Sequence, residues 1–331
     1  MRRRRSVAGW RGPTHGRSQR VNPDIDKAIE RARAAYLRAC ELDIGVRKPG
    51  NVSLDSPGHG MQARQFIDSA WASAAPLFAR GARVGARIEE ATEATWAVAG
   101  CNTNLGIVLL CAPVAVAVER FPHAISAFDL GMAIESVLAD LDVADARAAY
   151  RAIARANPGG LGSAPREDVR SEPTVTLREA MALAADRDRI GLVYRDGYAA
   201  LFDVGVAALG DDFASDGTFV IPRPADRGVA RPPSQIGRAV LRCYLALLGH
   251  APDSHIVRKR GATVAHTVMD AAARWRSDSR LTRTGSGLEV DPAFVEWDES
   301  LKADGLNPGT TADLTVTAML LGGIAKPLPH R

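Results

Sequence analysis

From Leu105 to Val118 the chain reads LGIVLLCAPVAVAV, fourteen residues without one polar side chain. A membrane-spanning helix needs about 20 such residues, and Pro113 interrupts the run. The segment is therefore expected to be a helix buried within a folded body. A helix that is apolar on every side must be covered on every side. The rest of the chain supplies that cover: Ala-rich segments with apolar residues at i, i+3 and i+4 recur, while strand-like alternation is scarce. Helices are predicted over Asp24–Leu42, Gln62–Phe78, Val84–Val98, Leu105–Glu119, Val143–Ala156 and Leu177–Ala208. Others are predicted over Gln235–Leu248, Arg260–Trp275, Pro292–Lys302 and Ala312–Leu321. A low aromatic content of 5% and few β-branched runs agree. The fold class that follows is all-α, one compact multi-helix domain. Gly159–Pro173 and Asp211–Pro233 are rich in Pro and Gly and read as loops, the second a candidate lid.

Residues 1–22 stand apart as a disordered, Arg-rich tail ahead of a helical domain over 23–331. The first twenty residues carry seven arginines and no acid, and they account for the +4 formal charge. The remaining 35 basic and 38 acidic residues leave the body near −3, which offers no broad basic surface for DNA. The tail lacks the apolar stretch of a secretory signal. Cys40, Cys101, Cys111 and Cys243 are widely spaced without a CxxC pair. That pattern fits reduced thiols in a cytoplasmic protein better than a disulfide frame or a zinc site.

Scarce polar residues gather in four short stretches at turns or helix starts. Lysine supplies only five of the 42 basic residues, yet Lys48 stands in KPGNVSLDSPGHGM (Lys48–Met61), with Asn51 and His59. Two Pro-Gly pairs there force turns and let a ligand approach the backbone; a plain turn with an Asn cap is the competing reading. In GCNTNLG, Asn102 and Asn104 precede the apolar helix. One of them serves as a cap, and a helix start with free N–H groups also suits a phosphate. PDSHIVRKRG sets Asp253 and His255 ahead of Arg258, Lys259 and Arg260, read as the head of a helix. Cations there oppose the helix dipole, so they form either an anion clamp or a solvated face. In GLNPGTTADL, Asn307 makes a turn, Thr310 is placed to cap, and Asp313 falls in the first helical turn, where the dipole favours it or a metal uses it. Several helix starts converging on one pocket would build a polyphosphate site without a P-loop.

These stretches, KPGNVS, GHGM, GCNTNLG, PDSHIVRKRG and GLNPGTTADL, resemble in order the triphosphoribosyl-dephospho-coenzyme A synthase family associated with citrate lyase and malonate decarboxylase. The likeness runs from about Glu41 to the C-terminus, and Glu172–Tyr194 resembles the family's more divergent branch. It implies an all-α enzyme in which the 2′-hydroxyl of 3′-dephospho-coenzyme A displaces adenine from the ribose C1′ of ATP. The triphosphate stays on the product. Such a displacement passes through an oxocarbenium-like state and needs a base, a donor for the purine and cations for the triphosphate. The resemblance puts Lys48, Arg258 and Lys259 on the phosphates, Mg²⁺ on Asp253 or Asp313, and Asp253 or His255 as the base. Asn51, His59, Asn102, Asn104, Asn307 and Thr310 complete the substrate-binding set, with Asp186 and Asp188 as second-tier candidates on a long helix. Lys48→Ala and Asn307→Ala are expected to abolish turnover and keep the fold.

This chain departs from the citrate-lyase members by reading NTNLG where they have NTHKG, and DSHIVRKRG where they have DTNLL(H)RGG. A basic group is lost at one motif and gained at another. The variant is similar to that of archaea and methylotrophic bacteria. An acceptor from a methanopterin- or methanofuran-type pathway is therefore one alternative, and a non-catalytic nucleotide- or RNA-binding protein is another. A homodimer is compatible with the sequence, and no membrane partner is expected.

Overall fold

The helices of the computed structural model run, in order, α1 (Pro23–Gly45), α2 (Ala63–Leu77), α3 (Val84–Ala99), α4 (Leu105–Arg120), α5 (Ala127–Ala139), α6 (Val143–Ala156), α7 (Leu177–Ala184) and α8 (Arg189–Arg195). Then come α9 (π-helical over Leu201–Val206 and α-helical over Ala207–Leu209), α10 (Ser234–Leu248), α11 (Ser254–Arg260), α12 (Ala262–Arg276), α13 (Pro292–Ala303) and α14 (Gly309–Ile324). The structure describes residues 23–124, 126–158, 161–164, 166–210, 213, 234–281 and 287–325. Among them there is no strand, only the isolated bridges Ser53–Ser56 and Gly58–Met61. The tail over 1–22, and the candidate lid over 211–233 apart from Phe213, lie outside the described residues.

The apolar run becomes α4, and all its side chains from Leu105 to Val118 are buried. Pro113 has no N–H to give the carbonyl four residues back. The Tyr194 hydroxyl donates to that oxygen, on Leu109, at 2.7 Å, and Tyr198 donates to Leu110 at 2.6 Å. The break in the ladder is thus mended from outside the helix. Helices α1, α3, α5 and α14 pack around α4; α14, itself almost wholly buried, also packs on α1, α9 and α10. Among the described residues no helix is long and apolar enough to cross a membrane. The four cysteines are unpaired, and three of them are buried.

Three local expectations need correction. The helix predicted over Leu177–Ala208 is three helices. It breaks at Asp188, whose carboxylate caps α8 by accepting from the Ile190 N–H at 2.8 Å, and again at Gly197 and Tyr198, both with positive φ. Helix α5 was not anticipated; its start is fixed by the Ser126 hydroxyl, which accepts from the Asp129 N–H. Arg258, Lys259 and Arg260 close a short helix rather than open one. A helix C-terminus is where the dipole favours cations, and Gly261, at φ +89, separates them from α12.

Candidate active site

The Lys48–Met61 turn is held by shape and by hydrogen bonds. Gly50 has φ +77, and a Cβ there would stand 2.8 Å from both the Leu306 carbonyl and Pro308. Only glycine lets this turn press against the Asn307–Pro308–Gly309 turn. The contact is sealed by the Asn51 amide, which donates to Asn307 Oδ1 at 3.0 Å. Tyr244 donates to the Pro49 carbonyl at 2.7 Å, and His59 Nε2 pairs with the Gly50 carbonyl at 2.9 Å.

Lys48 takes the opposite direction from Asn51. Its side chain has no exposed surface, and its ammonium donates to the Asp43 carbonyl and lies 3.2 Å from the Asp43 carboxylate. It caps the carbonyl end of α1, where unpaired oxygens attract a cation. This geometry ties Lys48 to the end of α1 and to Asp43 rather than to the cavity.

At the next stretch, Asn102 Oδ1 caps α4 by accepting from the Leu105 N–H at 3.1 Å. Asn104 is buried and donates to the Ser73 hydroxyl at 3.2 Å. Gly106 follows for steric reasons: a Cβ there would sit 2.0 Å from Asp313 Oδ2.

Asp253 joins two helix starts. One carboxylate oxygen accepts from the N–H groups of His255 and Ile256 in α11, and the other from the Thr311 N–H and hydroxyl in α14. The side chain is wholly buried. Burial pushes its carboxyl up, and the Thr311 hydrogen bonds pull it back. Both oxygens of Asp253 are thereby engaged in holding the two helix starts. Arg189 reinforces the junction, donating to the Leu247 and Ala251 carbonyls and to Thr311 Oγ1.

His255, Arg258 and Asp313 lie beside this junction and line one cavity. His255 Nε2 is buried and, among the described residues, has no hydrogen-bond partner. Burial, then Lys259, Arg258 and His59, lower its pKa to about 4, so the imidazole is neutral at pH 7. Arg258 pairs with Asp188 through one nitrogen and leaves its buried Nε without a partner. Asp313 lies beyond the first turn of α14, and its carboxylate accepts no hydrogen bond among the described residues. Burial, then the carboxylates of Asp253, Asp43 and Asp188, push its pKa well above the usual range, with Arg258 opposing.

A cavity of about 440 Å³ brings these groups together. Of the residues singled out in the sequence, Asn51, Asn102, Asn104, His255, Arg258, Asn307, Thr310 and Asp313 line it, and so does Asp188. Lys48, His59, Asp253 and Lys259 lie outside the lining, and Lys259 is exposed. A second wall is apolar, with Phe66, Leu109, Ile153, Leu177, Met181 and Ile190 among its residues. Among the described residues no three His, Cys, Asp or Glu side chains are grouped to hold a metal ion.

Sequence reasoning missed Asp43 and Asp298. Each falls on the apolar stripe of its helix: Asp43 follows buried Tyr36, Ala39 and Cys40, and Asp298 lies between buried Phe294 and Leu301. An acid on a buried stripe was the available signal. Asp188, expected on a solvated helix face, is instead a helix cap in the cavity wall.

The family model for ATP:dephospho-CoA triphosphoribosyl transferase matches residues 29–331. Among solved structures, a protein assigned as a triphosphoribosyl-dephospho-CoA synthase from Archaeoglobus fulgidus superposes with a TM-score of 0.56 at 21% identity. The match covers 77% of this chain and 97% of that one, and at such identity it speaks for the fold alone. No curated protein matches the chain significantly.

Proposed function

This chain belongs to the ATP:dephospho-CoA triphosphoribosyl transferase family, and we propose that its cavity is where ATP and 3′-dephospho-CoA react. The enzyme joins the 5-triphosphoribosyl group of ATP to the acceptor's 2′-hydroxyl and releases adenine. A family match over residues 29–331 favours this transfer over a one-carbon-cofactor acceptor and over a non-catalytic binder. The observation that carries the assignment to the cavity is that His255, Arg258 and Asp313 line one space, with a buried nitrogen of His255 and one of Arg258 left without a partner among the described residues.

The chemistry divides among them. The bond from C1′ to adenine N9 breaks and a bond from C1′ to the acceptor oxygen forms. Adenine departs more readily if a ring nitrogen is protonated as the bond breaks. Burial and then Asp253, Asp43 and Asp188 raise the Asp313 pKa and so favour its protonated form, which makes it the donor in this reading. The acceptor's hydroxyl proton passes to the neutral imidazole of His255, and solvent exchange resets both groups. Arg258, in the cavity wall, meets the triphosphate with its guanidinium charge, and cations around a phosphoryl group are preorganised electrostatic stabilisers. The apolar wall suits the purine or the acceptor's pantetheine arm. Mg²⁺ enters as the counter-ion of ATP, as part of the substrate, and the cytoplasm is the compartment this reading assigns to the enzyme.

The test is adenine release followed by chromatography, with ATP and Mg²⁺ in the presence or absence of dephospho-CoA. Release that depends on the acceptor supports the reading; no release with dephospho-CoA, or release only with a pterin-type acceptor, rejects it. Asp313→Asn should lower the rate by roughly 10²–10⁴-fold, the usual share of a general acid. Because Asp313 must be protonated, wild-type activity falls as pH rises through its elevated pKa, and this alkaline limb should vanish in Asp313→Asn.

A further inference from the structure

The Asn51–Asn307 pair lies in the cavity wall, yet neither turn that carries it is held by its own helix alone. A carboxylate from a third element, α13, sits beneath the Lys48–Met61 turn. Asp298 is wholly buried, and one oxygen accepts from the Gly50 N–H at 2.8 Å. The other accepts from the Ser56 hydroxyl at 2.7 Å and from Arg47 at 3.0 Å. Lys302, one turn further along α13, completes the cluster: it lies 3.0 Å from the Asp298 carboxylate and also donates to Ser56.

A carboxylate buried with two cations and two neutral donors is fixed from every side. So are the groups it binds, and Gly50 immediately precedes Asn51. Gly50 cannot relax away from α13 without losing its hydrogen bond to Asp298, and it cannot move toward Leu306 and Pro308 because the approach is already tight. The Asn51 amide is thereby aimed at Asn307.

We propose that Asp298 is a positioning residue for the transfer reaction, acting through Gly50 to set the Asn51–Asn307 pair against the substrate. This rests on the reading of the cavity as the active site. Displacing a substrate-positioning group by about 1 Å costs on the order of 100-fold in rate, so Asp298→Asn should lower kcat/KM for adenine release by roughly 10- to 100-fold. Its amide cannot accept from Ser56, Arg47 and Gly50 together.

The deciding experiment is a double-mutant cycle of Asp298→Asn and Asn51→Ala, read as kcat/KM, with helical content and melting recorded for each variant. If Asp298 acts through Asn51, the double variant is no slower than the slower single one. Ser56→Ala, which removes one hydrogen bond and no charge, gives a second cycle should Asp298→Asn fail to fold. Its smaller loss should likewise disappear on the Asn51→Ala background. Losses that multiply while Asn51→Ala is itself impaired overturn the positioning role and leave the active site in place. Wild-type turnover by Asn51→Ala overturns the role of the pair in the site and this inference with it.

Discussion

Lys48 and Arg258 are both cations set beside helix ends in motif stretches, yet one has no exposed surface and the other lines the cavity. Lys48 faces the end of α1 and the Asp43 carboxylate. Arg258 comes from the last turn of α11, pairs with Asp188 and, among the described residues, leaves its buried Nε without a partner. The same split runs through neighbouring residues: Asn51 enters the cavity wall while Lys48 turns away, and His255 enters while Asp253 is consumed as a double cap. A motif is therefore a mixture of residues that meet a ligand and residues that hold those in place. Charge and scarcity do not distinguish the two kinds; hydrogen-bond saturation does.

Lys48→Ala breaks this comparison most severely. Removing one member of a buried ion pair leaves Asp43 uncompensated, and the expected loss is about 3–5 kcal/mol of stability, measured by urea unfolding. A wild-type unfolding midpoint with abolished turnover would instead place Lys48 in the substrate-binding set. Arg258→Ala should do the reverse. Its ion pair with Asp188 is partly exposed and contributes no more than about 1 kcal/mol, but kcat/KM should fall roughly 10²–10³-fold. A loss of stability without a loss of rate would make Arg258 architectural.

The pH profile sharpens the contrast within one motif. His255 must be unprotonated to accept a proton, and its pKa is lowered to about 4. Activity should hold through neutral pH and decline as pH falls through about 4, seen as the acid limb of kcat/KM. The smallest effect belongs to Lys259→Ala. An exposed substitution of this kind changes stability by about 0.5 kcal/mol or less. Lys259 is one of the charges that lower the His255 pKa, so its removal should move the acid limb to higher pH. A shift to lower pH, or a large rate loss at neutral pH, would place Lys259 in contact with substrate.

Much of the fold was legible because its signal is local. The run at Leu105–Val118 demanded a buried helix, and amphipathic spacing marked most of its neighbours. The break of Leu177–Ala208 was harder to read because Asp186 and Asp188 look like ordinary solvated acids; only the fold brings Asp188 to Arg258, seventy residues away. The short helix Ser254–Arg260 inverted the expected electrostatics for the same reason, since three cations look alike at either end of a helix until its end is known. At the site, turns and helix starts marked where polar groups would gather. They could not mark Asp43 or Asp298, which belong to no motif and become intelligible only when Lys48 and Gly50 are seen against them.

The central claim is that the cavity carrying His255, Arg258 and Asp313 is where adenine leaves ATP. The most direct measurement compares wild-type enzyme with Asp313→Asn, following adenine release in the presence of dephospho-CoA and ATP binding by calorimetry. The expected result is that ATP still binds and folding is unchanged, while adenine release drops by at least about 100-fold. Release at the wild-type rate from Asp313→Asn would contradict it.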